Sequence, residues 1–532
     1  MRKITLFLLM VLVSHALSAQ FKMIAESTVF EEPEKGFSKI LQMKNGYTMF
    51  FHITVKDGID VKLYDEKHKP KAAKHLAPSY GKLKGGSVEG IFEINGDAIL
   101  MISEFDGRVP TLFRLIVDGK TGELKDTKQV AELHKLGITS GYAMAFGGVP
   151  MPDFFVRKDP KSDHYAIAMF NSFESDRNRR IEILYFGPDN KEISHAFYAS
   201  PEGKYKYMEY LDMAVIGNKS VSILANGFNT RASGGNEKEL LLANLDAGAK
   251  DVSLTKLDFT KDMVITGGIV RYNPVTKKIV MLASAAKGRR SNQITPFLAI
   301  IDPFAKKLEM NDEIYPRQAL QKSAEVFGEK RAFWGTPQNL YINNDGSFSV
   351  VYEEITNIVR NSGNYTSLSV RLTNVAIANY SIIGTEMGSY FIPKSHYIVG
   401  QNLSPFYLSM RDGMGQKLEG GNQFKSFAYL DGTKKSYVLF NDVEENRESS
   451  KKGKLTTIQG VSDCDAYFFN ISGSDVMPER QFVFGKPESR KEHNLALFTI
   501  SDYDREKNTL VTLKLENDRG DKGVKVVWMQ PE

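Results

Sequence analysis

Two turn signals recur in a fixed order along this chain, and together they leave room for little besides a repeated β-meander. The first pairs residues that tolerate positive φ, as tight hairpins require: Asn45-Gly46, Asn95-Gly96, Gly217-Asn218, Asp345-Gly346 and Asp431-Gly432. The second follows an apolar run and carries Asp or Gly, at 61–65, 115–119, 183–187, 242–246, 299–303 and, more weakly, 469–473. Between the signals lie short alternating runs rich in Val, Ile, Phe and Tyr, while helical periodicity is almost absent.

With strands lettered A to D, the first turn joins A to B and the second joins C to D. Seven such units start near Ser38, Ile91, Asp153, Tyr207, Thr266, Gln338 and Phe424. Three further strands follow at 494–501, 508–516 and 523–529, and one unpaired strand, 21–30, precedes the first unit. Three plus one complete an eighth unit in which both chain ends pair, a closure that removes exposed sheet edges. The chain is too long for one hydrophobic core, so a repeat architecture is expected. The expectation is an all-β β-propeller of eight, alternatively seven, four-stranded blades, closed by pairing of the N- and C-terminal strands. Two unrelated β-sandwiches are the competing fold.

In this architecture the chain resembles secreted bacterial β-propeller proteins over nearly all of 20–532. It lacks the Trp-Asp pairs of WD40 blades and the di-glycine of kelch repeats, and Asp345-Gly346-Ser347 falls short of a sialidase-type Asp box. The resemblance therefore implies a fold and no specific family, and a fold by itself supplies no function.

Residues 1–19 read as a signal peptide. Arg2 and Lys3 precede an apolar run of ten residues, 4–13, and Leu17-Ser18-Ala19 offers a small-residue cleavage site before Gln20. Ten residues are too few to span a bilayer, which needs about 20. No later stretch reaches that length, and Gln20 in place of cysteine argues against a lipid anchor. The chain is expected to be exported, periplasmic or extracellular, as a single domain over 20–532 with no integral membrane segment after cleavage. Its 69 basic and 64 acidic residues are too balanced to imply a nucleic-acid partner. Cys464 is the only cysteine, so no intrachain disulfide can form, and its apolar neighbours suit an inert, part-buried thiol.

The B–C connections lengthen from unit to unit. The distance between the two turns is 19 residues from Gly46 to Asp65, 22 from Gly96 to Asp118 and 28 from Asn218 to Asp246. Growth confined to one face of a ring marks a candidate binding surface. The B–C loops (105–109, 172–180, 226–239, 286–295, 353–366, 442–463 and 517–523) carry 10 of the chain's 21 arginines on 81 of its 532 residues. These are Arg108, Arg177, Arg179, Arg180, Arg231, Arg289, Arg290 and Arg360, with Arg447 and Arg519 in the last two loops. Guanidinium forks suit carboxylate, sulfate or phosphate, so the expected ligand is an acidic glycan or an acidic protein segment. The competing account ties these arginines to neighbouring acids such as Asp176 and Glu448. Two long D–A connections, 134–152 with Tyr142 and Phe146, and 313–334 with a helix expected at 318–329, could plug or line the ring's mouth.

No cluster commits the chain to a reaction, and no cofactor or metal is expected. The nine histidines include no His-x-His or His-Glu-x-x-His. Gly85-Gly86-Ser87-Val88-Glu89-Gly90 puts Glu89 where a nucleophile elbow needs glycine, and the α/β context is missing. The stretch 502–508 alternates oxygen ligands but has Lys507 where a calcium loop needs glycine, so a hairpin turn is the better account. Acidic pairs from different blades could serve glycoside chemistry, with Asp212 and Glu353-Glu354 among many candidates. The preferred expectation is a binding or scaffold propeller, and the alternative is a polysaccharide-acting hydrolase or lyase.

Overall fold

The computed structural model describes residues 21–531 apart from 34–35, 55–56, 78–85, 148, 199–204, 230–237, 260–262, 288–293, 363–364, 409–421, 489–491 and 519–520. The expected signal peptide lies outside the described residues. The first strands of the seven units are Phe37–Gln42, Ser87–Ile94, Asp153–Lys158, Tyr207–Ile216, Met263–Asn273, Thr336–Ile342 and Ala428–Leu430. Each is followed by three strands that pair antiparallel in chain order. Within a unit, burial follows position. The second strand of unit four, Ser220–Phe228, is buried at every residue, whereas the outermost strand of unit one, Pro70–Leu76, is largely exposed.

The core consists of layers between neighbouring units, as expected when each repeat buries its faces on the next. One layer joins Met49, Phe51 and Val61 of unit one to Ala98, Leu100 and Leu115 of unit two. Another joins Ile181 and Ile183 of unit three to Val221, Ile223 and Leu241 of unit four. First strands of neighbouring units also meet directly. Lys44, just past the first strand of unit one, donates its backbone N–H to Glu93 of unit two at 2.8 Å, and Arg271 of unit five donates to Asn339 of unit six at 3.0 Å. This is the arrangement of a β-propeller, with first strands innermost.

The two chain ends pair as expected. Lys22–Glu26 and Phe30–Glu31 both run antiparallel to Asp521–Gln530, which pairs in turn with Thr509–Asp518. The expected strand at 494–501 is displaced: a single 3-10 turn, Phe498–Ile500, leads into the short strand Asp502–Asp504.

The blade count needs correction. The described strands do not form eight, or seven, separate four-stranded blades. They form six small sheets and one of eight strands. The outermost strands of units three and four, Glu192–Tyr198 and Asp251–Lys256, pair in parallel at Phe197↔Asp251 and Tyr198↔Val252 and merge two meanders into one sheet. Hairpin signals report local turns and carry no trace of such an edge contact. The B–C loop placed at 353–366 is likewise mostly strand, because Phe348–Ser362 and Tyr365–Tyr380 form one long hairpin.

Two helices stand in the long D–A connections. Helix α1 is Ile138–Gly147, and α2, Arg317–Phe327, lies where a helix was expected. Among the described residues no helix is long and apolar enough to cross a membrane.

Candidate functional site

In an antiparallel meander the B–C and D–A connections share one end of the strands. The parallel pairing of units three and four shows that these two neighbours point the same way. Arg108 sits at the tip of its hairpin, where Gly107 (φ 57°) and Arg108 (φ 72°) both take positive φ between the paired residues Asp106 and Val109. That is the backbone of a two-residue turn matched to strand twist, and it leaves Arg108 exposed. Arg177 and Arg179 are exposed on a 3-10 turn whose start is capped by Asp176, which accepts the Asn178 N–H at 2.9 Å. The Arg179 guanidinium lies 4.6 Å over the Phe197 ring.

Arg180 differs from these. It is buried, and it donates from Nε to the Glu174 carbonyl at 2.9 Å and from a terminal nitrogen to the Lys206 carbonyl, so it braces the loop from below. Arg360 is exposed on the long hairpin, and Arg447 is exposed on the short helix α3, Asn446–Ser449. Arg231, Arg289, Arg290 and Arg519 lie outside the described residues.

The same end carries exposed rings. Tyr142 on α1 is 68% exposed, and Trp334, just before unit six, is 64% exposed. Trp334 meets Tyr315 edge-to-face at 6.4 Å, and Glu354 accepts its backbone N–H at 2.9 Å. An isolated ring in a polar loop gives no periodic signal, so Trp334 does not stand out in the sequence.

Along the axis runs a chain of polar contacts between first strands. Asp212 of unit four is 1% exposed. It accepts Arg157 Nε of unit three at 3.0 Å, and from unit five the Val270 N–H at 2.9 Å and Arg271 at 3.2 Å. Arg271 reaches on to Asn339, whose amide donates to the Tyr341 hydroxyl at 3.0 Å. Asp212 is thus a counter-ion clamped by two arginines. Glu353, the other acid singled out, is fully buried against Lys394 at 2.7 Å and accepts the Tyr407 hydroxyl. Its neighbour Glu354 also accepts from Thr373 and Asn374, both at 2.8 Å.

Beyond Asn339 the axis opens into a cavity of about 300 Å³ between units six, seven, eight and one. The rings of Tyr341 and Tyr429, 4.7 Å apart, form part of its wall, with Lys39, Asp431, Asp502 and Arg505 among the polar groups. Asp431 pairs with Arg505 at 3.0 Å. Burial pushes the Asp431 carboxyl up to about 6 against the opposing pull of Arg505. Asp502 accepts the backbone N–H of Gln42 at 2.7 Å.

A second pair of carboxyls lies on the first strands of units two and three. Burial raises Glu89 to about 7, with the negative charge of Asp153 adding to the effect, and burial raises Asp153 to about 6. Glu89 occupies the register shift between Val88 and Gly90 and accepts the Ser103 hydroxyl at 2.6 Å. Cys464 is buried, and burial drives its thiol up, away from reactivity. The 502–508 segment is a hairpin turn in which Asp504 accepts the Glu506 and Lys507 N–H groups at 3.0 and 2.9 Å.

No family model and no curated protein matches this chain. Among solved structures it is similar to the polysaccharide lyase Uly1, at 11% identity and TM-score 0.38, over 86% of this chain and 93% of that one. An oligogalacturonate lyase in complex with manganese aligns at 10% identity and TM-score 0.36, over 97% and 99%. The N-terminal domain of Nup159 aligns at 9% identity and TM-score 0.32, over 96% of each. Likenesses this distant decide nothing about function. The propeller reading rests on the strand order itself.

Proposed function

We propose that this is an exported propeller that binds an acidic glycan across its loop-bearing face. The observation that carries the reading is the pairing of two side-chain chemistries at one end of the strands. Exposed guanidinium groups of Arg108, Arg177, Arg179 and Arg360 stand at the same end as the exposed rings of Tyr142 and Trp334. Guanidinium forks take carboxylate or sulfate groups, and flat rings cover the apolar faces of sugars. An acidic protein segment would use the arginines and leave the rings without a purpose. Arg231, Arg289 and Arg290, which lie outside the described residues, are proposed as members of the same ligand-binding set. Arg180 contributes by holding the loop that presents Arg177 and Arg179.

Retention on immobilised heparin tests this. Replacing Arg108, Arg177, Arg179 and Arg360 together with Ser should move elution to clearly lower salt, and Trp334→Ala should weaken retention at fixed salt. Unchanged elution of the four-arginine variant sinks the proposal.

A second reading, a polysaccharide-acting hydrolase or lyase, is favoured by Glu89 and Asp153. Two neighbouring carboxyls held partly protonated near neutral pH are what acid–base chemistry at a glycosidic bond uses. Release of reducing ends from acidic polysaccharide, abolished by Glu89→Gln, would establish it.

A further inference from the structure

We infer that the axial cavity is a separate binding site for a single neutral sugar ring. It differs from the loop face in both place and chemistry. Asp431 and Arg505 directly follow the first strands of units seven and eight, at the A–B-turn end, opposite to the arginine-bearing loops. At about 300 Å³ the cavity falls at the small end of ligand pockets, a size that suits one sugar ring.

The charges lining the cavity balance. Lys39 and Arg505 face Asp431 and Asp502, so a strongly anionic or cationic ligand would gain from one pair and lose to the other. A ligand with many hydroxyls gains from both, because each hydroxyl can donate to a carboxylate and accept from an ammonium, guanidinium or amide. The rings of Tyr341 and Tyr429, tilted 55° to each other, give the wall apolar surface for the C–H face of a pyranose, with Tyr341 the less buried of the two. The Nε–H of Arg505 is buried and finds no acceptor among the described residues, a donor that a ligand hydroxyl would satisfy.

Calorimetric titration of the full chain with the methyl pyranosides of glucose, galactose and mannose, and with glucuronic and galacturonic acids, tests the site. At least one neutral glycoside should bind saturably with Kd below about 10 mM. Asp431→Asn, which keeps the side chain's shape, should weaken that binding about tenfold or more, Tyr341→Ala should do the same, and Tyr341→Phe should stay within about threefold. Serine at Arg177 and Arg179 should leave it unchanged, while lowering heparin retention if the loop-face reading holds. The inference is overturned if no neutral glycoside binds, if the hexuronic acids bind more tightly, or if Asp431→Asn binds as well as the parent chain. Loss of binding through the loop arginines would overturn it as well.

Discussion

Trp528 donates its indole N–H to the hydroxyl of Thr48 at 2.9 Å, across 480 residues of sequence, with both side chains buried. The bond ties the last strand of the chain to the second strand of unit one. Tyr64 packs edge-on to the indole at 5.0 Å, and His68 stacks on it at 4.9 Å. Nearby, Ser27 donates its backbone N–H to Val526 at 2.9 Å, and Lys525 reaches Glu26 at 3.2 Å. The two chain ends therefore form one joint that holds the ring shut.

Breaking this joint should cost more than its size in sequence implies. Trp528→Ala leaves a large buried void and is expected to destabilise the fold by about 3–5 kcal/mol. Thr48→Val keeps the volume and strands one indole donor, at about 1–3 kcal/mol. Equilibrium denaturation of the two variants should rank them in that order.

Asp212 neutralises two arginines from different units. Asp212→Ala removes the carboxylate that Arg157 and Arg271 share and should cost about 2–4 kcal/mol. Asp212→Asn keeps an oxygen for the Val270 N–H and should cost less. A melting temperature that falls equally in both variants would show that packing, rather than charge, sets the effect.

Glu89 gives stability a pH dependence of definite sign. Its native carboxyl titrates at about 7 against 4.5 for the ordinary group, so the folded chain binds the proton more tightly than the unfolded chain. The native state is favoured below about pH 4.5, and that advantage is lost as pH rises through about 7. Glu89→Gln keeps the contact to Ser103 and removes the charge. It should raise stability at pH 8 by on the order of 2–3 kcal/mol and change it little at pH 4. A variant no more stable than the parent chain at pH 8 would contradict the assigned cause.

The expected site residues separate by what surrounds them. Arg108, Arg177, Arg179 and Arg360 are exposed on B–C connections, where hairpin spacing put them, because strand parity decides which end of a meander each turn occupies. Arg180 has the same spacing and a different fate, since its direction depends on the Lys206 carbonyl, 26 residues away. Asp212 was one acid among many in the sequence. It became a hub only when Arg157 and Arg271, 55 and 59 residues distant, arrived on neighbouring strands. The axial cavity draws its wall from four units, and no local pattern could have assembled it.

The repeat was legible in the residues themselves: most strand positions, the turns, the helix near 318 and the pairing of the two ends. Those properties follow from side-chain alternation and from residues that accept positive φ, both read within a few positions. Packing in three dimensions set the shared sheet of units three and four and the charged groups that meet along the axis, while the 348–380 hairpin arose from strand pairing that continued through an expected loop. The shared sheet and the axial contacts join residues of different units more than fifty positions apart, and periodicity carries no record of them.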